Sequence, residues 1–395
     1  MSSPRKLLAY ARKMHNCRQE VLADSGAFLQ LADLLLNQNK RRILLLSGKQ
    51  TQKLKLYDQF VDTLQNGGAK VFVWIHEGKL PERAEVDRCA VECQTYNCDA
   101  IVAFGGGTII DVAKMVAVRI TNPYSSLYQM RGVDCIYAPG VDLYVVSTTG
   151  SGAEGSACSL IRQDQYISMY YSRYLIPKTV VLDPDLVLRL PMENMASAAI
   201  LALTHAVEAY ISPVSDEFPA DRANVLISLP IFFSYLEKCY KHGVDNDTYL
   251  QIMMAPYYAG VAARRIGFGY THSFAMYMAD RYGMAPGRIC AAMLPVVLEY
   301  ELDEVKDELA ELSRAAHLCS SRATAEEAAR AFISGFQSLC RRVGLDSSGP
   351  VIRNEDVPDL AELILNDAKQ WRHPKKMKTK QAMALLRKVQ NGEKG

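Results

Sequence analysis

The stretch Ala100–Phe104 (AIVAF) is followed at once by Gly105, Gly106 and Gly107, and then by helical spacing over Ile109–Arg119. It constrains this chain more than any other segment. Five consecutive apolar residues leave no side for water, so a strand here must be covered on both faces. The glycines permit a tight reversal into the helix. The same alternation fills the N-terminal half. Arg42–Ser47 (RILLLS) and Lys70–Ile75 (KVFVWI) are rich in strand formers, while Lys53–Asn66 and Arg83–Asn97 carry helical spacing. Gly67-Gly68 supplies a helix stop. Strands alternating with helices make βαβ units, and therefore a parallel sheet.

After Val180–Leu182 the strand-like runs largely stop. Met192–Ser212, Ala220–His242, Asp247–Arg265, Thr271–Arg281, Ala291–Tyr300, Val305–Leu318, Ala325–Val343 and Val357–Asp367 all have helical spacing. Pro177, Pro184 and Pro191 punctuate the change. The expected architecture is an α/β domain over residues 1–186 and an all-helical domain over 187–395.

Composition narrows the function classes. Apolar residues make up 49% and charged residues 22%, a folded globular balance. Lys and Arg number 45 against 43 Asp and Glu, a net charge of +2, which gives no basic surface for nucleic acid. The most apolar long stretch, Met195–Ile211, falls short of the ~20 residues of a membrane span and carries His205 and Glu208. Ten cysteines occur without CxxC or zinc-ribbon spacing, so reduced thiols and a cytoplasmic location are expected. Arg5, Lys6, Arg12, Lys13 and Arg18 precede the first acid, Glu20; the tract faintly resembles a transit peptide but reads better as an exposed helix.

Two loops have the chemistry of ligand contact. Gly105-Gly106-Gly107-Thr108 joins a strand to a helix, where backbone N–H groups and the helix dipole favour a phosphate. It matches neither GxGxxG nor a Walker loop. Asp111 and Lys114 follow one turn apart, by themselves no more than a helix acid and a solvated lysine. Ser147-Thr148-Thr149-Gly150-Ser151-Gly152-Ala153-Glu154 is a run of small and polar residues after an apolar strand. It suits phosphate, ribose or amide contacts, or simply an exposed loop.

At this point the chain resembles a family. AIVAFGGGTIIDVAK is similar to the GGGSxxDxAK fingerprint of the iron-containing (group III) alcohol dehydrogenases, and VSTTGSGAE aligns with that family's PTTAGTGSE. PKTVVLDPDLVLRLP (177–191) and LTHAVEAY (203–210) resemble two further family segments in the right order. The resemblance implies a Rossmann-like domain followed by a helical one, with dinucleotide and substrate in the cleft between them. It implies reversible hydride transfer between a nicotinamide and a carbonyl/alcohol pair. Gly105, Gly106, Gly107 and Thr108 would hold the pyrophosphate, Ser147, Thr148 and Ser151 would line the cofactor's path, and Asp111 would lie near it. Members are often dimers, so a homodimer is a possible assembly.

The departures are equally informative. The family binds a divalent ion through an Asp and a His four residues apart and two later His. Here those positions are Leu201, His205, His272 and Pro286, and an additional family His is Met276. Two imidazoles are too few for a tight site, so no metal is expected; Glu208, Asp280, Cys158 and Cys290 are the residues that could rebuild one. Gly48 stands where the family often has an Asp for the ribose 2′-OH, and Lys49, Lys53 and Lys55 follow. This favours NADP(H) over NAD(H). A family Lys near the nicotinamide falls on Ile167 in a loose alignment. Ala263 replaces a bulky aromatic, leaving room for a larger substrate, and Arg264, Arg265 and Arg288 could hold an anionic one.

The expected function is thus a metal-independent, NADP(H)-preferring oxidoreductase for a small carbonyl or alcohol. His272 and His205 would donate hydrogen bonds or a proton, with Arg264, Arg265 or Arg288 adding positive charge. The family's maleylacetate reductases, which resemble it in working without metal, are a precedent, although they keep more histidines. The rival expectation is a catalytically silent homologue that binds a nucleotide or a partner protein.

Overall fold

The computed structural model describes residues 19–78, 80–164, 166–187, 192–345, 351–369 and 371–390. The basic N-terminal tract lies outside them, as does the end of the 177–191 segment. The chain forms two units. One is made by the described residues of Lys13–Leu190 together with Asp245–Tyr257; the other by those of Pro191–Val244 and Tyr258–Gly395. The division by sequence at 186/187 did not foresee that Asp245–Tyr257 groups with the first unit.

The first unit is a six-stranded parallel sheet. Its strands are β1 (Glu20–Ala23), β2 (Arg42–Gly48), β3 (Lys70–His76), β4 (Ala100–Gly105), β6 (Asp142–Ser147) and β9 (Thr179–Leu182), in the order β1-β9-β6-β4-β2-β3. Two-residue periodicity sends alternate side chains to opposite faces. Leu44, Leu46, Ile101, Ala103, Leu143 and Val145 join one core with helices α3 (Arg83–Thr95) and α4 (Gly107–Thr121). Ile43, Leu45, Val102, Phe104, Tyr144 and Val146 join the other with α1 (Ala27–Asn37) and α2 (Lys55–Asn66). Both faces are covered, which is why these strands read as unbroken apolar runs.

Connections from β2 and β4 leave in opposite directions, to β3 on one side and β6 on the other. The crevice outside their C-terminal ends is the switch point at which open α/β sheets bind ligands. A small second sheet, absent from the sequence reading, pairs β7 (Cys158–Gln163) with β8 (Tyr166–Tyr171) antiparallel and adds β5 (Gly132–Val133).

The second unit is helical. α5 (Met192–Ile211), α6 (Pro219–His242), α8 (Tyr270–Tyr282), α9 (Pro286–Ala315), α10 (Ala325–Arg342), α11 (Val357–Ala368) and α12 (Thr379–Gln390) belong to it, and α7 (Asn246–Ile266) is shared between the units. The two helices expected at Ala291–Tyr300 and Val305–Leu318 are one. α9 runs through Pro295 and through the acidic stretch around Glu301, whose side chain is itself buried. Three points attach Asp245–Tyr257 to the sheet unit. The Asn246 amide donates to Asp185 at 2.8 Å, the Tyr257 hydroxyl donates to Gln19 at 3.1 Å, and Pro256 lies 3.2 Å from where a Cβ on Gly150 would stand.

Candidate active site

The glycine turn and the 147–154 loop are built against each other. A Cβ on Gly106 would stand 2.8 Å from Thr149 Oγ1, and one on Gly107 3.0 Å from Ser151 Oγ. Any larger residue would push the second loop away. The Thr148 N–H donates to Gly105 O at 3.1 Å, and Ser147 pairs with Gly105 across the β4–β6 ladder. Gly106, Gly107 and Thr108 remain half-buried at the start of α4, while Ser147, Thr148, Ser151 and Glu154 are buried. The 147–154 segment is therefore not an exposed surface loop.

Lys114 explains how that segment keeps its shape. It is fully buried rather than solvated. Its ammonium donates to Ala153 O (2.7 Å), Ser156 O (2.9 Å), Ser156 Oγ (3.1 Å) and Cys158 O (2.9 Å). Asp111 is pushed up to about 7 by burial, against the pull of Lys114 and the Leu160 N–H. Its carboxyl thus leans on β7, and the structure gives it a packing partner there. Burial also raises the Glu154 carboxyl, against the Gly152 N–H and the Lys114 charge.

At the neighbouring strand ends, Gly48 pairs with His76. A Cβ on Gly48 would come 3.2 Å from Ile109 Cδ1, so Ile109 takes part of the space freed by the missing Asp. Lys49 is not a free cation. Its ammonium meets the Glu77 carboxylate at 2.9 Å, both side chains exposed, and this holds Glu77 below the usual carboxylate range.

In the helical unit, α5 and α8 bring the two imidazoles together. His205 Nε2 lies 2.9 Å from His272 Nδ1. Phe268 stacks on His272 at 4.1 Å and meets His205 edge-on at 4.7 Å. Burial drives His205 down to about 3, and burial with the neighbouring His205 drives His272 well below its ordinary value. Both rings are neutral near pH 7. One donates to the other, so in either tautomer the pair keeps one outward N–H and one outward lone pair.

Glu208, one turn beyond His205, fixes the second ring. Its carboxylate accepts the N–H groups of Gly269 (3.0 Å), Thr271 (2.6 Å) and His272 (3.3 Å) at the start of α8. Free N–H groups at a helix start attract an anion. Burial nonetheless lifts this carboxyl to about 7.

These residues do not fit the family's divalent ion. Leu201 and Pro286 offer no donor atom, His205 and His272 point a nitrogen at each other, and Glu208 is engaged by amides. Among the described residues, no group of three or more His, Cys, Asp or Glu side chains is arranged to hold an ion.

The arginines separate. Arg265 is committed to the fully buried Asp221, with Nε 2.7 Å from Oδ2 and Nη2 2.7 Å from Oδ1. It is a structural ion pair, contrary to the expected substrate role. Arg264 is buried. Arg288 is half-buried in the first turn of α9, beside Gly287, which lies against Ser197 of α5. The sequence reading missed Phe268 and the anchoring roles of Lys114 and Glu208. For Lys114 and Glu208 the available signal was the company each keeps inside a motif; Phe268 lies in none of the quoted motifs.

The sheet unit carries a glycine turn at its switch point, and the helical unit carries a pair of buried histidines. A family model described as iron-containing alcohol dehydrogenase matches residues 19–184, and one for the Fe-containing alcohol dehydrogenase family, C-terminal, matches residues 195–390. The chain belongs to the iron-containing alcohol dehydrogenase family. Alcohol dehydrogenase 4 of Saccharomyces cerevisiae (strain YJM789) is 26% identical over 369 residues, 92% of this chain and 95% of the relative. 4-Hydroxybutyrate dehydrogenase of Cupriavidus necator is 30% identical over 294 residues, 70% of this chain and 75% of the relative. A solved 1,3-propanediol oxidoreductase superposes with a TM-score of 0.87 at 22% identity, covering 94% and 97% of the two chains, and shows the shared fold. Among the described residues no helix is long and apolar enough to cross a membrane.

Proposed function

We propose that this chain interconverts a small carbonyl and its alcohol with a nicotinamide dinucleotide and without a divalent ion. The neutral His205–His272 pair stands in for the ion. The observation that carries this reading is the 2.9 Å contact between two imidazoles whose pKa values are both depressed, beside Leu201 and ahead of Pro286. The bound dinucleotide supplies or takes the hydride. The outward N–H of the pair donates to the substrate oxygen and stabilises the charge that develops on it, the task several kcal/mol of metal electrostatics performs elsewhere. Protonation of that oxygen runs through the same N–H, and the hydrogen bond within the pair allows the proton to be replaced from the second ring. Gly105, Gly106, Gly107 and Thr108 hold the pyrophosphate, and Ser147, Thr148 and Ser151 close around it.

The finer assignments are an anionic substrate and NADP(H). We assign the carboxylate to Arg288, half-buried in the first turn of α9, with Arg264 as its second. The relative named 4-hydroxybutyrate dehydrogenase makes short hydroxy acids the first class to try. NADP(H) preference rests on Gly48; Lys49 would turn from Glu77 to a 2′-phosphate, since an exposed pair holds it by only about 0.2–1 kcal/mol.

The test is a fluorescence titration of metal-stripped protein with NADPH and NADH, followed by turnover on short keto, aldehyde and hydroxy acids with a chelator present. Binding and turnover in chelator, lost in His272→Ala while dinucleotide affinity stays within a few-fold, are the expected results. Activity that appears only on adding a divalent ion overturns the metal-free reading. Binding without turnover on any substrate favours the silent homologue.

A further inference from the structure

The end of α3 holds a pair of thiols that the reaction does not use. The helix closes in a Schellman turn. The Cys98 N–H donates to Cys93 O at 2.9 Å, the Asn97 N–H donates to Gln94 O at 3.0 Å, and Asn97 takes the left-handed conformation with φ of 49°. This motif brings the side chains at its two ends into contact, usually as a hydrophobic touch. Here both ends are cysteines, Cys93 buried and Cys98 half-buried, and neither is in a disulfide.

We propose that Cys93 and Cys98 form a reversible, peroxide-driven disulfide, with Cys98 the attacking thiol and Cys93 the resolving one. The Cys93 thiol donates toward the Cys98 sulfur, and the Arg42 charge lies near it; both lower Cys98 below an ordinary thiol, while that same hydrogen bond and then burial raise Cys93, and burial raises Cys89. The guanidinium is held there by its bond to Tyr96 O. A thiol that is accessible, acidified and next to a second thiol is the pattern of a redox-sensing cysteine.

The chemistry balances with hydrogen peroxide as oxidant. The Cys98 thiolate attacks one peroxide oxygen, the O–O bond breaks, and the departing hydroxide takes a proton to become water. The Cys93 sulfur, losing its proton, then attacks the Cys98 sulfenic acid. The S–O bond breaks, a second water leaves, and the S–S bond forms. Two thiols are oxidised by two electrons and one peroxide is reduced.

The experiment treats full-length protein with hydrogen peroxide, alkylates the remaining thiols, and maps the tryptic peptide of residues 89–114 by mass spectrometry. The expected peptide has lost two hydrogens, is alkylated only at Cys89, and regains full alkylation after dithiothreitol. Cys89→Ser keeps the bond. Cys93→Ser abolishes it and leaves a Cys98 sulfenic acid that dimedone traps, a readout on a variant that retains the half-buried thiol. Full alkylation of Cys93 and Cys98 after peroxide, or a bond between Cys89 and Cys93, overturns the proposal.

Discussion

Lys114→Met gives the sharpest test of how the cofactor loop is held. The substitution keeps the stem's volume and removes one buried ammonium. Three backbone carbonyls and the Ser156 hydroxyl lose their donor, and Asp111 and Glu154 lose the charge that opposes their desolvation. Removing one partner from a buried charged network costs about 4 kcal/mol. For a unit of this size that lowers the melting temperature by roughly 10 °C. The loop then samples other conformations, and a dinucleotide must reorder it on binding, so affinity falls about tenfold or more. Ser156→Ala removes one acceptor of the four and should cost about 1 kcal/mol. Thermal melts and fluorescence titrations of both variants measure these effects. Equal losses from the two substitutions, or an unchanged melt and affinity in Lys114→Met, would refute the reasoning.

Three further outcomes are expected. Glu208 is raised from 4.5 to about 7 in the fold, so its contribution is complete below pH 4.5 and is lost as pH rises through 7. Glu208→Gln should therefore gain about 3 kcal/mol on wild type between pH 4.5 and pH 8 in denaturant unfolding, and a pH-independent difference would count against the burial argument. Arg265→Met leaves the buried Asp221 carboxylate without its guanidinium and should destabilise the protein by about 3 kcal/mol, with the Michaelis constant of the remaining folded enzyme unchanged. Glu77→Gln frees Lys49 and should tighten NADPH a few-fold while leaving NADH alone; equal effects on both would place Lys49 away from the 2′-phosphate.

The sheet was legible because its strands are buried on both faces, and burial on both faces writes itself as uninterrupted apolar runs. β7 and β8 were not, because Arg162, Gln163 and Ser168 break the pattern in strands of a small sheet. The sequence suggests two helices in place of α9 because Glu301, Asp303 and Glu304 look like a solvated break; the helix continues and buries Glu301 within it. At the site, the glycine turn could be found from local spacing, and His205 and His272, 67 residues apart, only through the resemblance to the family. The partner of Arg265 lies 44 residues away, and nothing in a pair of adjacent arginines says which one meets it. The burial of Lys114 likewise depends on carbonyls 39 to 44 residues further on.

The amide cradle at the start of α8 has an evolutionary consequence. Glu208 orients His272 through backbone N–H groups, so that orientation does not rely on an ion. Replacement of the family's ligands at 201 and 286 leaves the scaffold of the histidines intact. On the proposed reading, a change of residue at 201 or 286 leaves the fold around the two imidazoles in place.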